Sequence, residues 1–485
     1  MSSPLIWFAT PLLFAIIFWF FQRYRRGVFL WGAALTGFLA VFARFLPVDQ
    51  PIHLLSQTLY VADTWEILGR KLTLSPGDMP YVSFVFLITT LWFIGALATK
   101  ATSWFVPLGL GMVAFLNAAL GVDPFLYAAL FIEVAVLLSI PIMAPLGARV
   151  GYGIQRYLIS QTLAMPFILY SGWMLTGVEN NPADAVLSSR VITMLGLGFA
   201  FLLAIFPFYT WIPALFEEAS PYLAGFVFVM LPMTVIMFLL NFLDRYAWLR
   251  TDPRIFDLIR LAGVLTVATA GIFAAFQNHL GRMLGYAVII QTGLSLLAIS
   301  SATLSGLVLL AAQLLTRVVG VWLWAVALEQ LKRKPASMQL ENLRGLLHRS
   351  PFISISILIG LFSLAGLPLL AGFPVTFSFL RLLAQSGAGG GLASSAYQPL
   401  SIFDRPPIDA IWTAVGLLGM FVAGMRVLLV MADPRESQGW SIDENLGIRA
   451  LLGLGILAVF LVGLLPIWFL PGMQAILQGF AHLLS

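Results

Sequence analysis

The sequence contains no cysteine and only four histidines among its 485 residues. A chain without cysteine cannot form disulfides, thiolate nucleophiles or cysteine-ligated iron–sulfur clusters. Charged residues make up only 10% of the chain, whereas soluble domains carry about 25%. Hydrophobic residues make up 60% and the mean hydropathy is +0.96. Because so apolar a chain cannot cover a globule with polar groups, the composition excludes a soluble fold and predicts an integral membrane protein.

Fourteen apolar stretches follow one another along the chain, most of them near the length of about 20 residues that a helix needs to span a membrane. No alternating pattern of strand length accompanies them, so the predicted fold is all-α and polytopic, with about 14 transmembrane helices. The stretches cover residues 5–21, 28–46, 80–98, 103–122, 124–143, 154–177, 192–212, 220–242, 257–276, 282–302, 304–329, 350–383, 408–432 and 447–468.

Two of these stretches contain prolines that should interrupt a helix. The seventh runs into Pro207 and Pro213, and the twelfth contains Pro368 and Pro374. Proline removes a backbone N–H and clashes with the preceding turn, so we expect broken helices at both places. We expect a carbonyl freed there to bond to Ser, Thr or water. Broken helices at corresponding positions are typical of two inverted five-helix repeats in a transporter fold. The expected regions are helices 1–3 (1–98), the first repeat of helices 4–8 (99–242), the second repeat of helices 9–13 (243–432), and helix 14 with the tail (433–485).

The distribution of basic residues predicts the orientation in the membrane. Of the 26 Lys and Arg residues, 14 lie in loops after odd-numbered stretches and nine in loops after even-numbered ones. The positive-inside rule then places the odd loops in the cytoplasm and both termini outside. The glycine run at 387–391 follows no predicted strand, so we interpret it as a flexible linker and not as a phosphate-binding loop.

Two ionisable residues fall near the middle of predicted helices, where a charge costs about 2.5–3.5 kcal/mol. Glu133 is the tenth residue of the fifth stretch, which places it about 14 Å along the helix. It is either a proton-carrying carboxylate or a buried carboxyl that is hydrogen-bonded to another helix. Arg317 lies in the eleventh stretch, one turn after Gln313. Since a guanidinium does not release its proton usefully, Arg317 is either a fixed counter-charge or a link between helices.

Other polar residues in or beside the apolar stretches have simpler structural explanations. Gln291 and Ser295 are one turn apart, which favours hydrogen bonds between helices. Arg260 and Arg426 lie near helix ends, where we expect their guanidinium groups to extend to the membrane surface. Glu217 and Glu218 follow the predicted break in helix 7 and are either paired with a neighbour or solvated.

Three segments, in order, resemble motifs of a known family. They are Phe206-Pro-Phe-Tyr-Thr-Trp-Ile-Pro213 with the following Glu-Glu-Ala-Ser-Pro and Leu-Ala-Gly, Gln277-Asn-His-Leu-Gly-Arg-Met-Leu-Gly-Tyr286 with the following Gln-Thr-Gly, and Leu364-Ala-Gly-Leu-Pro368 with the following Gly-Phe. They resemble antiporter-like subunits of complex I-type NADH:quinone oxidoreductases and of multisubunit sodium/proton antiporters. The resemblance covers about residues 100–435 and favours the M-type subunit, also called subunit 4.

The resemblance implies a subunit of the respiratory membrane arm that is linked to proton translocation. It implies no redox cofactor, a hetero-oligomeric complex with other membrane-arm subunits as partners, and a bacterial cytoplasmic membrane as the location. The alternative is a subunit of a multisubunit cation/proton antiporter, or a stand-alone secondary transporter. The sequence contains no phosphate-binding loop, dinucleotide fingerprint, Ser/His/Asp constellation or metal-ligand cluster. We therefore expect no metal, no nucleic acid and no catalysis by this chain alone.

Most titratable positions of the family are replaced in this chain. The family's lysines of helices 7 and 8 and of the Asp-x-Lys-Arg motif correspond to Leu202, Val229 and Gly281, which are lost relay positions. Glu133 retains the family's glutamate of helix 5. The remaining candidates for a proton relay are Glu133, Arg317, Gln291, Tyr209 and Thr376. Because leucine and valine neither bind a proton nor form hydrogen bonds, the replacements favour a scaffold over a working pump.

Overall fold

The computed structural model describes residues 2–54, 57–67, 69–144, 147, 150–180, 184–333, 338–386, 408–433 and 444–484. The predicted linker at 387–391 lies outside these residues. The chain divides into two compact units. The first comprises Met1–Ala204, Phe208–Ile255 and Pro471–Ser485, and the second comprises Ile205–Pro207 and Phe256–Leu470. The expected division into four regions stays a prediction.

The first unit is built mainly of helices. A π-helical turn, Leu5–Ala9, continues into α1, and the 3₁₀ turns Pro76–Asp78 and Phe125–Tyr127 precede α3 and α5. The helices are α1 (Thr10–Phe20), α2 (Arg25–Phe45), α3 (Met79–Ala98), α4 (Phe105–Gly121), α5 (Ala128–Met143), α6 (Tyr152–Asn180), α7 (Ala185–Leu202), α8 (Ile212–Glu218), α9 (Pro221–Arg245) and α10 (Ala247–Thr251). A 3₁₀ turn, Ala475–Gly479, and a last helical turn, Ala481–Leu484, also belong to this unit.

Side-chain caps fix where several of these helices begin. The Asp184 carboxylate accepts hydrogen bonds from the backbone N–H groups of Val186 and Leu187, at 3.1 and 3.0 Å, and starts α7. Ser220 accepts from the Leu223 N–H, and Pro221 occupies the first position of α9. Both satisfy N–H groups that have no partner inside their own helix. The α7 helix therefore begins seven residues before the apolar stretch that predicted it.

Four short strands lie between α2 and α3, in a segment outside the apolar stretches, and a fifth follows α4. The hairpin β1 (Pro51–Leu54) and β2 (Gln57–Tyr60) is antiparallel, with Pro51 opposite Tyr60. A second antiparallel sheet has the order β3 (Thr64–Ile67), β4 (Arg70–Thr73) and β5 (Val122–Asp123). The tight turn between β3 and β4 contains Gly69 at φ +73°.

The core of the first unit surrounds α9. The whole apolar window of this helix is buried, and Phe226 on it packs edge-on against Phe105 of α4, with ring centroids 5.2 Å apart. A helix that is apolar all round and fully buried is the central element of a bundle. Val229 is fully buried in this helix.

The second unit contains the remaining helices. They are α11 (Pro253–Ala275), α12 (Leu280–Ser300), α13 (Leu304–Lys332), α14 (Leu346–Arg349), α15 (Pro351–Ala365), α16 (Gly372–Ser386), α17 (Ile408–Ala432), α18 (Leu446–Leu464) and the start of α19 (Pro466–Gln474). The α12 helix is its most deeply buried span. Helices α11 and α17 approach closely at Gly271, where a Cβ atom would collide with the Gly416 carbonyl oxygen.

Both predicted interruptions are present in the structure. The α7 helix ends at Leu202 and α8 begins at Ile212, while α15 ends at Ala365 and α16 begins at Gly372. The carbonyls of residues 203 and 364 would need the N–H groups of residues 207 and 368 to continue a helix, and both of those residues are prolines. Gly366 ends α15 in the left-handed conformation, at φ +84°.

The helices are long and apolar enough for an integral membrane protein. Among the described residues, nine helices have the length and composition of a membrane span, and five shorter apolar helices accompany them. The fold is therefore helical and polytopic, as predicted.

Candidate functional site

In the first unit, the carboxylate of Glu133 is bound by a hydroxyl of the next helix. Glu133 is the sixth residue of α5, not the tenth of a helix, because Phe125–Tyr127 forms a 3₁₀ turn before it. The Thr162 hydroxyl of α6 donates to Glu133 Oε1 at 2.6 Å. Glu133 is half-buried and Thr162 is exposed. A partner from another helix was expected, but the pair lies at the surface of the chain and not in its core.

Beside Thr162, a residue that sequence analysis missed caps the broken helix α7. The Gln161 side-chain amide donates to the carbonyls of Phe201 and Leu202, at 3.3 and 3.2 Å. These are among the last carbonyls of α7, where the helix supplies no N–H group four residues further on. The Phe201 carbonyl also accepts a hydrogen bond from the Ala204 N–H at 3.2 Å. Gln161 is 2% exposed. The signal in the sequence was a glutamine inside an otherwise apolar stretch, which needs a hydrogen-bond partner when buried.

Two of the three positions predicted to have lost a relay lysine hold buried apolar side chains, and the third is a glycine. Leu202 ends α7 and is buried, and Val229 is fully buried in α9. Tyr209 is buried between α7 and α8. Gly281 is the second residue of α12 in the second unit, and the neighbouring Arg282 is exposed. None of the three replaced positions carries a group that can bind a proton.

Glu218 is half-buried and has a hydrogen-bond partner. Its Oε2 accepts a hydrogen bond from the Gly153 backbone N–H at 2.9 Å, in the first turn of α6. A carboxylate at a helix N-terminus satisfies a free N–H and interacts favourably with the helix dipole. A Cβ atom on Gly151 would collide with the Glu218 carboxylate. Glu218 therefore has a structural role in the first unit.

In the second unit, Gln291 satisfies the carbonyl that the broken helix leaves free. Its side-chain amide donates to the Leu364 carbonyl at 3.1 Å. That carbonyl cannot bond within its own helix because the fourth residue after it is Pro368. A hydroxyl or a water molecule was the expected partner of this carbonyl. An amide from a neighbouring helix caps the carbonyl instead, because α12 packs directly beside α15.

Gln291 belongs to a buried hydrogen-bond network that joins α12 and α13. The Gln313 amide donates to the Gln291 carbonyl at 2.5 Å and to Gln291 Oε1 at 3.3 Å. The Ser295 hydroxyl donates to the Gln291 carbonyl at 3.0 Å and contacts Gln313 Oε1 at 3.1 Å. The interpretation of Gln291 and Ser295 as a helix–helix contact is therefore confirmed.

Arg317 lies in the same region. It is 1% exposed, one turn after Gln313 on α13, and its Nη2 is 3.4 Å from the Thr292 hydroxyl on α12. Thr292 follows Gln291 in the sequence. The second unit thus holds a fixed positive charge in its core, next to the network that caps the broken helix.

Thr376 lies at the break itself. It is buried on α16, and a Cβ atom on Gly366 would stand 2.8 Å from the Thr376 Cβ. Gly366 is thus required both for its left-handed backbone and for this close approach. The structure therefore gathers Gln291, Arg317 and Thr376 around the interruption in the second unit, while Glu133, Leu202, Tyr209 and Val229 belong to the first.

Two arginines that we expected to extend to the membrane surface are held by protein groups. Arg260 Nε is 2.6 Å from Asp409 Oδ2, an ion pair between α11 and α17. Arg426 donates to the Gln277 carbonyl at 3.1 Å, to Asn278 Oδ1 at 2.7 Å, and also to the Ala275 carbonyl. A cation at the C-terminal end of a helix stabilises the free carbonyls there. Neither arginine needs to reach the membrane surface to find a partner.

The chemistry of these residues is limited to proton binding, ion pairing and hydrogen bonding. Within the described ranges, no group of three His, Asp or Glu residues could hold a metal ion. The Glu133 carboxylate can bind a proton. Arg317 can bias the charge of its surroundings, and the amides and hydroxyls can orient hydrogen bonds.

Comparison with known proteins shows similarity to one family over the middle of the chain. Residues 174–397 match the family described as NADH:quinone oxidoreductase/Mrp antiporter, TM. NADH-quinone oxidoreductase subunit 14 of Thermus thermophilus is 26% identical over 374 residues, which cover 71% of this chain and 81% of the relative. NADH-quinone oxidoreductase subunit N 1 of Herpetosiphon aurantiacus is 29% identical over 253 residues, covering 48% of this chain and 51% of the relative.

The fold is similar to that of a solved antiporter complex. A chain of the Mrp complex from Dietzia sp. DQ12-45-1b superposes with a TM-score of 0.76 at 16% identity, covering 100% of this chain and 99% of that one. The resemblance drawn from the three motifs is thereby confirmed. This chain is therefore similar, in sequence and in fold, to antiporter-like integral membrane subunits of NADH:quinone oxidoreductases and Mrp antiporters.

Proposed function

We propose that this chain is a membrane-arm subunit of a complex I-type quinone oxidoreductase, in a bacterial cytoplasmic membrane. Its partners are the other membrane-arm subunits of that complex. The observation that carries this proposal is the sequence similarity to NADH-quinone oxidoreductase subunit 14, which extends over most of both chains. The two relatives described above are named subunit 14 and subunit N 1. We therefore propose the N-type position in place of the M-type position that the motifs favoured.

The composition of the native complex tests this proposal. The chain is tagged in its own host, the complex is purified in mild detergent, and its subunits are identified by mass spectrometry. We expect hydrophilic subunits that carry flavin and iron–sulfur clusters to purify together with the chain. Purification with small antiporter subunits alone would contradict the proposal and support the multisubunit cation/proton antiporter. The structural similarity to an Mrp chain makes this antiporter the second candidate.

Within the complex, we propose that the chain spans the membrane 14 times, as two inverted five-helix repeats with both termini outside. The nine long helices and five shorter apolar ones support this count. The interruptions of α7 and of α15/α16 support the repeat. The excess of basic residues in odd-numbered loops supports the orientation.

The absence of cysteine makes the orientation simple to test. Ser2→Cys and Ser485→Cys each introduce the only thiol of the chain. A membrane-impermeant maleimide applied to intact cells should label both variants. Labelling that occurs only after the membrane is broken would place the termini inside and contradict the orientation.

We further propose that the chain acts as a scaffold and moves no protons by itself. Leu202 and Val229 are buried at two of the positions where the family carries lysine. A relay through either position would require water in closely packed apolar surroundings. Arg317 remains charged and cannot release its proton usefully. Glu133 is then the one retained relay group, and its role can be measured directly.

A further inference from the structure

An apolar pocket lies beside the interruption between α15 and α16, entirely within the second unit. It has a volume of about 260 Å³ and lies between one face of α15, the linker to α16, and Phe460 of α18. Ile355, Ile359 and Phe362 contribute the face of α15, and Leu369 contributes the linker. Every residue of its lining is Ile, Leu, Phe or Pro.

The pocket opens to the outside of the chain along α15, one of the shorter apolar helices. Ile355 is 39% exposed and Leu369 is 60% exposed. From Pro351, the start of α15, Ile355 lies about 6 Å and Phe362 about 16 Å along the helix axis. The pocket therefore runs from near one membrane surface to the middle of the span, parallel to the direction of a lipid tail.

The size and chemistry of the pocket select its occupant. An α-helix with side chains is about 10–12 Å wide, so a pocket of 260 Å³ cannot admit a helix of a partner subunit. A quinone head group needs hydrogen-bond donors for its carbonyls, and the lining side chains carry none. A hydrocarbon chain fits both the volume and the lining.

A basic residue precedes the end of α15 at which the pocket begins. Arg349 ends α14, is exposed, and precedes Pro351 by two residues. It precedes Ile355 by six residues, so it lies beyond the same end of α15 as that rim of the pocket. Lysine and arginine at this depth attract the phosphate of anionic lipids, by about 1 kcal/mol each. The charge of Arg349 complements an anionic head group.

We propose that this pocket binds one acyl chain of an anionic membrane phospholipid, with its phosphate at Arg349. The chain packs against Leu369, which the linker holds in the left-handed conformation at φ +73°. The bound lipid thus fills the space beside the broken helix and braces the linker between its halves. This lipid site is independent of the assembly in which the chain works.

A photoreactive lipid can test the site in the intact complex. The complex is placed in nanodiscs that contain phosphatidylglycerol with a diazirine near the end of its acyl chain, and crosslinked peptides are mapped after illumination. We expect crosslinks at 355–370. Ile359→Trp fills the pocket and should reduce them about five-fold or more, the equivalent of about 1 kcal/mol. The matched control Leu261→Trp, at an exposed position of α11, should leave them unchanged.

The head group is tested separately, so that a folding defect of the tryptophan variant does not decide the result. Arg349→Gln should lower the crosslinking of phosphatidylglycerol about five-fold and leave that of phosphatidylcholine unchanged. Arg333→Gln, another exposed arginine of the second unit, is the control and should change neither. Equal crosslinking in wild type and Ile359→Trp would overturn the acyl-chain site. Crosslinks from 355–370 to another subunit, or no response to Arg349→Gln, would overturn the anionic lipid as its occupant.

Discussion

The two units keep different charges in different places. The first unit retains a carboxylate, Glu133, at its surface, where a threonine hydroxyl is its hydrogen-bond partner. The second retains a guanidinium, Arg317, in its core beside a network of glutamine and serine. A carboxylate at the surface can exchange a proton with whatever faces it. A buried guanidinium can only fix the charge of its surroundings, so the two units are not equivalent parts of one relay.

The units nevertheless solve the same backbone problem in the same way. Each contains a helix that is interrupted next to a proline, and each places a glutamine from a neighbouring helix on the freed carbonyls. Gln161 does so for α7 and Gln291 for α15. Unpaired carbonyls in a membrane cost several kcal/mol, so a broken helix requires such a partner. The shared feature is structural, while the retained charges differ.

The largest difference between the units should appear when the buried charge is removed. We expect Arg317→Ala to lower the free energy of unfolding by about 3 kcal/mol, because it leaves a cavity in a closely packed core. Hydrogen exchange should lose protection in α12 and α13 and keep it in α5 and α6. Thermal unfolding of the purified complex and exchange by mass spectrometry measure both effects.

Two further variants separate the volume of Arg317 from its charge. Arg317→Met keeps most of the volume, and if the charge is structural alone this variant should be close to wild type. Arg254→Ala, whose side chain is 84% exposed, should change stability by no more than about 0.5 kcal/mol. Equal behaviour of Arg317→Ala and Arg254→Ala would show that the second unit does not depend on its buried cation.

The two capping glutamines should differ in the size of their effect. We expect Gln291→Leu to cost about 2 kcal/mol, because it frees the Leu364 carbonyl and also removes Gln291 Oε1, one of the acceptors of the Gln313 amide. Gln161→Leu should cost about 1 kcal/mol, since its two bonds are long and go to the end of a single helix. Thermal unfolding of the two variants, side by side, checks the order. A larger loss of stability for Gln161→Leu would show that the break after α7 depends more on its glutamine than the break after α15 does.

The sequence predicted what depends on local chemistry. Prolines located both interruptions, and the one-turn spacing of Gln291 and Ser295 predicted a contact between helices. A hydrogen-bond partner for the freed Leu364 carbonyl was predicted. That the partner is a glutamine was not predicted, because Gln291 is 73 positions away in the sequence. A partner at that distance depends on how helices pack, and one sequence does not fix helix packing.

Other features escaped prediction for the same reason. The ion pair of Arg260 with Asp409 joins residues far apart in the chain, and the function of Gln161 follows only from the end of α7 beside it. The hairpins at 51–73 were missed because a polar segment between two spans gives no period that distinguishes strand from loop. The helix start at Ala185 was missed because polar residues in its first turns interrupt the apolar pattern.

A smaller effect should distinguish the backbones of the two breaks. Leu369 at φ +73° and Ala204 at φ +47° both adopt the left-handed conformation, which costs about 1–2 kcal/mol without glycine. Leu369 is mostly exposed, so Leu369→Gly should stabilise the protein by about 1 kcal/mol. Ala204 is 3% exposed, so Ala204→Gly loses about 0.8 kcal/mol of buried methyl and should be nearly neutral. Chemical denaturation measures the stability of both variants. Destabilisation by Leu369→Gly would show that the left-handed backbone at Leu369 is not strained.

The smallest expected effect is the most informative about function. Glu133→Gln keeps the shape of the side chain and can still accept the Thr162 hydrogen bond, but it removes the group that binds a proton. If the chain is a scaffold, the complex should assemble normally and its number of protons moved per turnover should be unchanged. Proteoliposomes with a pH-sensitive dye, compared at equal rates of electron transfer, measure that ratio. Thr162→Val is the matched variant: it removes the hydrogen bond and keeps the carboxylate, so it reports the structural part alone. A drop in the proton ratio for Glu133→Gln but not for Thr162→Val, with normal assembly, would show that the surface carboxylate of the first unit is a working relay group.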